Sequence, residues 1–244
     1  MTPEAAKAAF DAALEDLYVA FAPYRFNRDM SCCIPHCFEQ FEIDALGAKP
    51  LRSLEPHDLY GFASALLLTC GEEADFKHFL PRCFELLTTP RVSFVDPEIM
   101  LGKLSRAQWL KWNALERGAV DAFLWAWWRL EVLEDRPTLE ETFAALCCTG
   151  LEVTPYLRHW RDLDGVDHVI SLAQFINRAG RLMLAGDRFN PFVGKEASRV
   201  LQAFMREPET RERFERAFLE ATTMKGVHAE HLRALSLAEQ LVQF

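Results

Sequence analysis

The sequence predicts an all-α fold. Apolar residues recur at helical spacing through most of the chain, and helix-start and helix-stop signals bracket those stretches. Only residues 91–95 have a strand-like composition, and one short segment cannot make a sheet. The connections are short, so successive helices are expected to pack as antiparallel pairs, in a bundle or a short HEAT-like helical solenoid. No clean repeat recurs at a fixed period. A single domain over 1–244 is expected, with a loose sub-boundary near 134–137.

The elements follow in order. Thr2, Pro3 and Glu4 give an N-cap, a proline at the first helical position and an acid in the first turn. Phe10, Leu14, Leu17 and Phe21 form the apolar stripe of that helix, which should end before Pro23. Residues 22–37 look irregular. A short helix over 38–46 is expected to stop at Gly47, and one from Pro56 at Gly71. Residues 75–80 read as helix, with a kink or break at Pro81 because proline cannot donate to the ladder, then helix again to Leu87.

Asp96 and Pro97 open two segments, about 97–111 and 113–133. The second is apolar on nearly all sides, the pattern of a central helix. Thr138 with Glu141 fits a capping box for a helix to about Thr149, stopped by Gly150. Thr154-Pro155 opens a short helix, Asp164 caps the next through about Arg178, and Asn190-Pro191 opens another. Helices over 208–222 and 228–242 close the chain.

Half the residues are hydrophobic and 26% are charged, an ordinary globular composition with enough apolar side chains for a large core. The formal net charge of −9 disfavours nucleic acid and anionic membrane surfaces and favours a basic protein as partner. No apolar run approaches the roughly 18 residues of a membrane-spanning helix, and the N-terminal residues are acidic where a signal peptide is basic. Seven cysteines, an odd number in a chain of this size, point to reduced thiols and a cytoplasmic protein.

Four features could carry function. The turn Cys32-Cys33-Ile34-Pro35-His36-Cys37 offers Cys33, His36 and Cys37 as soft ligands for zinc. Zinc needs four ligands and no second pair lies nearby in sequence, so His57 or His78 would have to complete the site. The plainer reading is a cysteine-rich turn with ordinary thiols and no cofactor. Asp75, His78 and Arg82 make a possible polar site on one helix, since Asp75 and His78 are three residues apart. Its plainer reading has Asp75 as a cap and Arg82 bonding the carbonyls freed by Pro81.

The six tryptophans read mainly as core, except Trp125. Arg117, Asp121, Trp125 and Arg129 share a stripe at four-residue spacing, which makes Trp125 and Arg129 a possible partner-binding pair. Finally, Glu207–Arg211, Glu209–Arg213 and Glu212–Arg216 are correctly oriented pairs on a solvated helix face.

The stretch Pro50-Leu51-Arg52-Ser53-Leu54 through His57-Asp58-Leu59, followed by Asp75-Phe76-Lys77-His78-Phe79-Leu80-Pro81-Arg82, resembles a group of uncharacterised bacterial proteins. The resemblance covers mainly residues 30–90. It implies a cytosolic bacterial helical protein and carries no activity. Phosphate loops, nucleophile elbows, His-Glu-x-x-His and EF-hand loops are all absent from the sequence. The expected function is therefore a non-enzymatic protein-binding helical module, with an immunity-type or adaptor protein as its concrete version. A metal- or thiol-dependent enzyme built on Cys33, His36 and Cys37 is the alternative.

Overall fold

A computed structural model describes residues 2–33, 38–89, 92, 94–134, 136, 138–224 and 228–241. Among these the fold is all-α, with twelve α-helices, two short 3-10 turns and no strand. The chain divides into two compact units, Met1–Leu130 and Glu131–Phe244, with the division just before the 134–137 segment. None of the described helices is long and apolar enough to cross a membrane.

The first unit contains α1 (Pro3–Phe21), α2 (Gln40–Gly47), α3 (Pro56–Ala65), α4 (Glu73–Thr88), α5 (Pro97–Arg106) and most of α6 (Ala114–Leu133). Thr2 caps α1 as expected, its hydroxyl accepting from the Ala5 amide at 3.3 Å. Helices α2, α3 and α4 share another device. A carboxylate in the first turn reaches back to the amide of the residue before the helix: Glu42 to Glu39, Asp58 to Glu55 and Asp75 to Glu72, each at 2.8 Å. This satisfies an otherwise orphaned donor and sets negative charge at the positive end of the helix dipole.

Helix α4 is the centre of this unit. It packs on α1 and α3, and Phe76, Phe79, Leu80, Pro81, Cys83 and Phe84 are buried along it. The ring of Phe123 on α6 sits 5.5 Å from Phe10 on α1 and 5.3 Å from Phe84 on α4, so three helices share one aromatic core. The expectation of a break at Pro81 is corrected, because α4 runs through it. Burial of the proline ring and its neighbours holds the turn despite the missing donor.

Other boundaries moved for local reasons. Helix α3 ends at Ala65 rather than Gly71, because Leu67 turns to a φ of 64° and the chain doubles back so that the Leu67 amide bonds the Cys70 carbonyl at 2.8 Å. Helix α5 ends at Arg106, and a 3-10 turn over Trp109–Lys111 takes the rest of the expected 97–111 helix. Gly47 is the last residue of α2 and has no positive φ. A side chain there would meet the Phe26 ring at 2.2 Å, so close approach accounts for this glycine.

The cysteine expectation is also corrected. Cys32 and Cys70 are joined as a disulfide across an isolated antiparallel bridge, tying the upstream turn to the loop after α3.

The second unit holds α7 (Leu139–Cys147), α8 (Thr154–Arg161), α9 (Val166–Leu184), α10 (Lys195–Met205), α11 (Pro208–Thr223) and α12 (Ala229–Leu241). Helices α9, α11 and α12 pack on one another, and α8 joins α9 to α10. Phe143, Trp160, Phe175 and Phe189 form its aromatic core, with Phe175 5.5 Å from both Phe143 and Trp160. The Thr138 capping box does not form: the Thr138 hydroxyl bonds Glu131 at 2.8 Å instead. Helix α9 starts after Gly165, whose φ is 96°, and runs to Leu184 rather than Arg178. Helix α10 begins at Lys195, not at Asn190-Pro191.

Two of the expected surface pairs on α11 are spent elsewhere. Glu207 pairs with Arg158 and Arg161, both at 2.6 Å, and Arg213 donates to the carbonyls of Arg161 and Leu163. These contacts tie α8 to α11, and Arg161 lies buried among them.

Candidate functional site

The three residues of the expected polar site stay on α4, each with partners of its own. Asp75 is buried and spends a carboxylate oxygen on the Glu72 amide as a cap. His78 is half-buried, with Nδ1 3.2 Å from the Tyr24 carbonyl, and burial pushes its pKa below the usual imidazole value. Arg82 donates to the Leu54 carbonyl and to Glu85, both at 2.7 Å, and Glu85 in turn accepts from the Tyr18 hydroxyl. Arg82 therefore ties α4 to α1 and to the segment before α3, rather than bonding the carbonyls freed by Pro81.

Of the expected metal ligands, Cys33 is exposed, whereas His36 and Cys37 lie outside the described residues. Among the described residues no group of three or more His, Cys, Asp or Glu is placed to hold a metal ion. Trp125 is half-buried, and the exposed Arg129 guanidinium lies 5.5 Å from the centre of its ring.

The most developed polar site centres on a residue the sequence reading passed over, Lys77. It belongs to α4 and is buried, with Nζ 2.8 Å from Glu73, 2.9 Å from Glu116 on α6 and 3.2 Å from the Tyr24 hydroxyl. Tyr24 in turn donates to Glu116 at 2.5 Å. The ammonium also lies 4.4 Å from the centre of the Trp112 ring. Glu116 Oε2 meets Lys77 as a charge contact, off hydrogen-bond alignment. A buried ion pair costs desolvation, and here three polar partners and an aromatic face offset it.

These groups wall a cavity of about 360 Å³, completed by Gln108, Lys111 and Asn113. Gln108 adopts a left-handed backbone, φ 51° and ψ 40°, which is unfavourable for a side chain of its kind. That turn lets its side chain accept from Lys111 at 2.8 Å on the cavity rim. Leu110 and Leu115 flank the rim in sequence and are 48% and 66% exposed.

Burial alone would lower the Lys77 pKa, but its contacts with Glu73, Glu116 and Tyr24 outweigh that and hold it above the usual lysine range. The Tyr24 phenol is pushed up by burial and by the Glu116 carboxylate. Both groups thus keep their protons at neutral pH.

Part of this site was readable. Glu73 and Lys77 stand at the favourable acid-then-base spacing on one helix face. Glu116, 39 residues on in sequence from Lys77, carries no such signal. Compared with protein-family models, curated proteins and solved structures, the chain matches none of them.

Proposed function

We propose that this chain is a non-enzymatic, helical protein-binding module of the immunity or adaptor kind, and that the rim of the Lys77–Glu116 cavity is its contact surface. One observation carries this reading. The cavity gathers the Lys77 and Lys111 amines, two carboxylates and a phenol, yet the Lys77 amine and the Tyr24 phenol are both pushed further from neutrality than in water. A general acid or base is tuned towards the working pH, so these shifts run against proton transfer and favour fixed recognition. Leu110 and Leu115, next in sequence to the cavity residues Lys111 and Glu116, are exposed apolar side chains of the kind a partner interface buries.

The test is affinity capture from a native lysate with the intact chain and with a Leu110→Glu, Leu115→Glu variant. Both side chains are exposed, so the variant should keep the fold. A protein retained reproducibly by the wild type and lost by the variant supports the proposal. Equal capture by both, or no partner with either, contradicts it.

A further inference from the structure

A second surface lies in the other unit, on a separate set of residues. Helices α9 and α12 pack side by side and leave a groove of about 490 Å³. It is lined by the apolar Leu182, Ala234 and Leu237, by the guanidiniums of Arg178, Arg181 and Arg233 with one carboxylate, Glu230, and by the amides of Gln174 and Asn177. This is a local excess of positive charge in a chain whose net charge is −9.

Arg178 leans on Glu140 of α7 at 2.5 Å and keeps most of its side chain exposed. Among the described residues, Arg181 and Arg233 form no ion pair and are exposed. Charges left unpaired on the two walls of one groove are placed to meet opposite charge from outside.

The groove is also held in shape. Asn177, buried at its base, donates from Nδ2 to the Ala234 carbonyl at 2.8 Å and so pins α9 to α12. Its Oδ1 is buried with no hydrogen-bond partner among the described residues, a polar atom left unsatisfied at the groove base.

We infer that the α9–α12 groove binds an acidic amphipathic helix of a partner protein, with Arg178, Arg181 and Arg233 gripping its carboxylates and Leu182 and Leu237 receiving its apolar side. Arginine suits this role because its planar fork pairs with carboxylates in bidentate fashion. The apolar lining of Leu182, Ala234 and Leu237 distinguishes a peptide from a free anion, since an inorganic ion gains nothing from leucine, whereas a helix laid in a groove buries one apolar stripe. The inference does not depend on the role proposed for the Lys77 cavity.

The experiment measures fluorescence anisotropy of a labelled helical peptide, with Glu on one stripe and Leu on the adjacent one, titrated with the full chain. A peptide with Lys in place of Glu is the control. We expect saturable binding of the acidic peptide alone, weakened by added salt. An Arg181→Glu, Arg233→Glu variant should lose about tenfold or more in affinity, as loss of close charge pairs at an interface does. Leu182→Ser should weaken binding without changing its salt dependence.

Absence of binding, equal binding of the lysine peptide, or an unchanged affinity in the arginine variant would overturn the inference. So would full displacement of the peptide by inorganic pyrophosphate with no effect of Leu182→Ser, which would make the groove an anion site. A dimer seen by sedimentation of the wild type and lost in the arginine variant would instead assign the groove to a second copy of the chain, and would likewise overturn it.

Discussion

At the scale of single residues, two buried lysines behave in opposite ways because their surroundings differ. Lys77 faces two carboxylates and a phenol, and stays charged. Removing it by Lys77→Met leaves Glu116 buried without its counter-charge, and this should cost about 3 kcal/mol or more in urea unfolding. The double variant Lys77→Met, Glu116→Leu should lose clearly less than the sum of the two single changes, because the pair goes as a unit. Additive losses would mean the contact is not energetically coupled. Lys103, by contrast, meets only carbonyl oxygens, those of Ser64 at 3.0 Å and Leu66 at 2.6 Å, and burial lowers its pKa to about 8. The unfolded chain holds that proton up to the ordinary lysine value of about 10.5, so between pH 8 and 10.5 it binds more protons than the fold does. This residue's contribution to stability therefore rises with pH across that window. The neighbouring Cys83 thiol, pushed up to about 12 by burial, acts in the opposite sense above pH 9. Comparison with Lys103→Met cancels that opposing effect. The stability difference, wild type minus variant, should grow by about 1–2 kcal/mol from pH 7 to pH 10. A flat difference would show that Lys103 keeps an ordinary pKa.

At the scale of elements, the loop after α3 links several of these features. Lys103 caps the carbonyls at the end of α3, Arg106 donates to the Leu67 carbonyl at 2.6 Å, and Cys70 closes the loop onto Cys32. The Cys32–Cys70 bond spans 38 residues, so in the chain-entropy picture it stabilises the fold by about 2–4 kcal/mol. A Cys32→Ser, Cys70→Ser variant should unfold at correspondingly lower urea, and the wild type should match it once reduced. Equal midpoints for oxidised and reduced wild type would refute the pairing. Helix existence was legible in the sequence from periodicity and start signals, and α1, α6, α8 and α11 lie close to where those signals put them. Endings were less legible, because tertiary contacts set them. Leu67 takes its positive φ within a loop pinned by Lys103 and Arg106, and Gly47 answers to the Phe26 ring. Pro81 reads as a breaker by local rules and yet sits inside α4, where the packed core outweighs a local preference. The candidate site was legible only on its α4 side. Glu73 and Lys77 share one helix face, but the meeting of Lys77 with Tyr24, Trp112 and Glu116 is a property of packing.

At the scale of the whole molecule, each of the two units carries a surface with its own chemistry. The first offers a polar cavity with exposed leucines next in sequence to its lining, and the second a groove lined by three arginines and apolar side chains. The proposed contact surface is the rim of the Lys77 cavity. It is tested most directly by replacing Leu115 with a photo-crosslinking amino acid and irradiating the full chain in native lysate. Lys7, on the exposed face of α1, serves as the control position. A discrete crosslinked species is expected from position 115, absent from position 7 and suppressed by Leu110→Glu. A crosslinked species at position 7 with none at 115, or none at either, would contradict it.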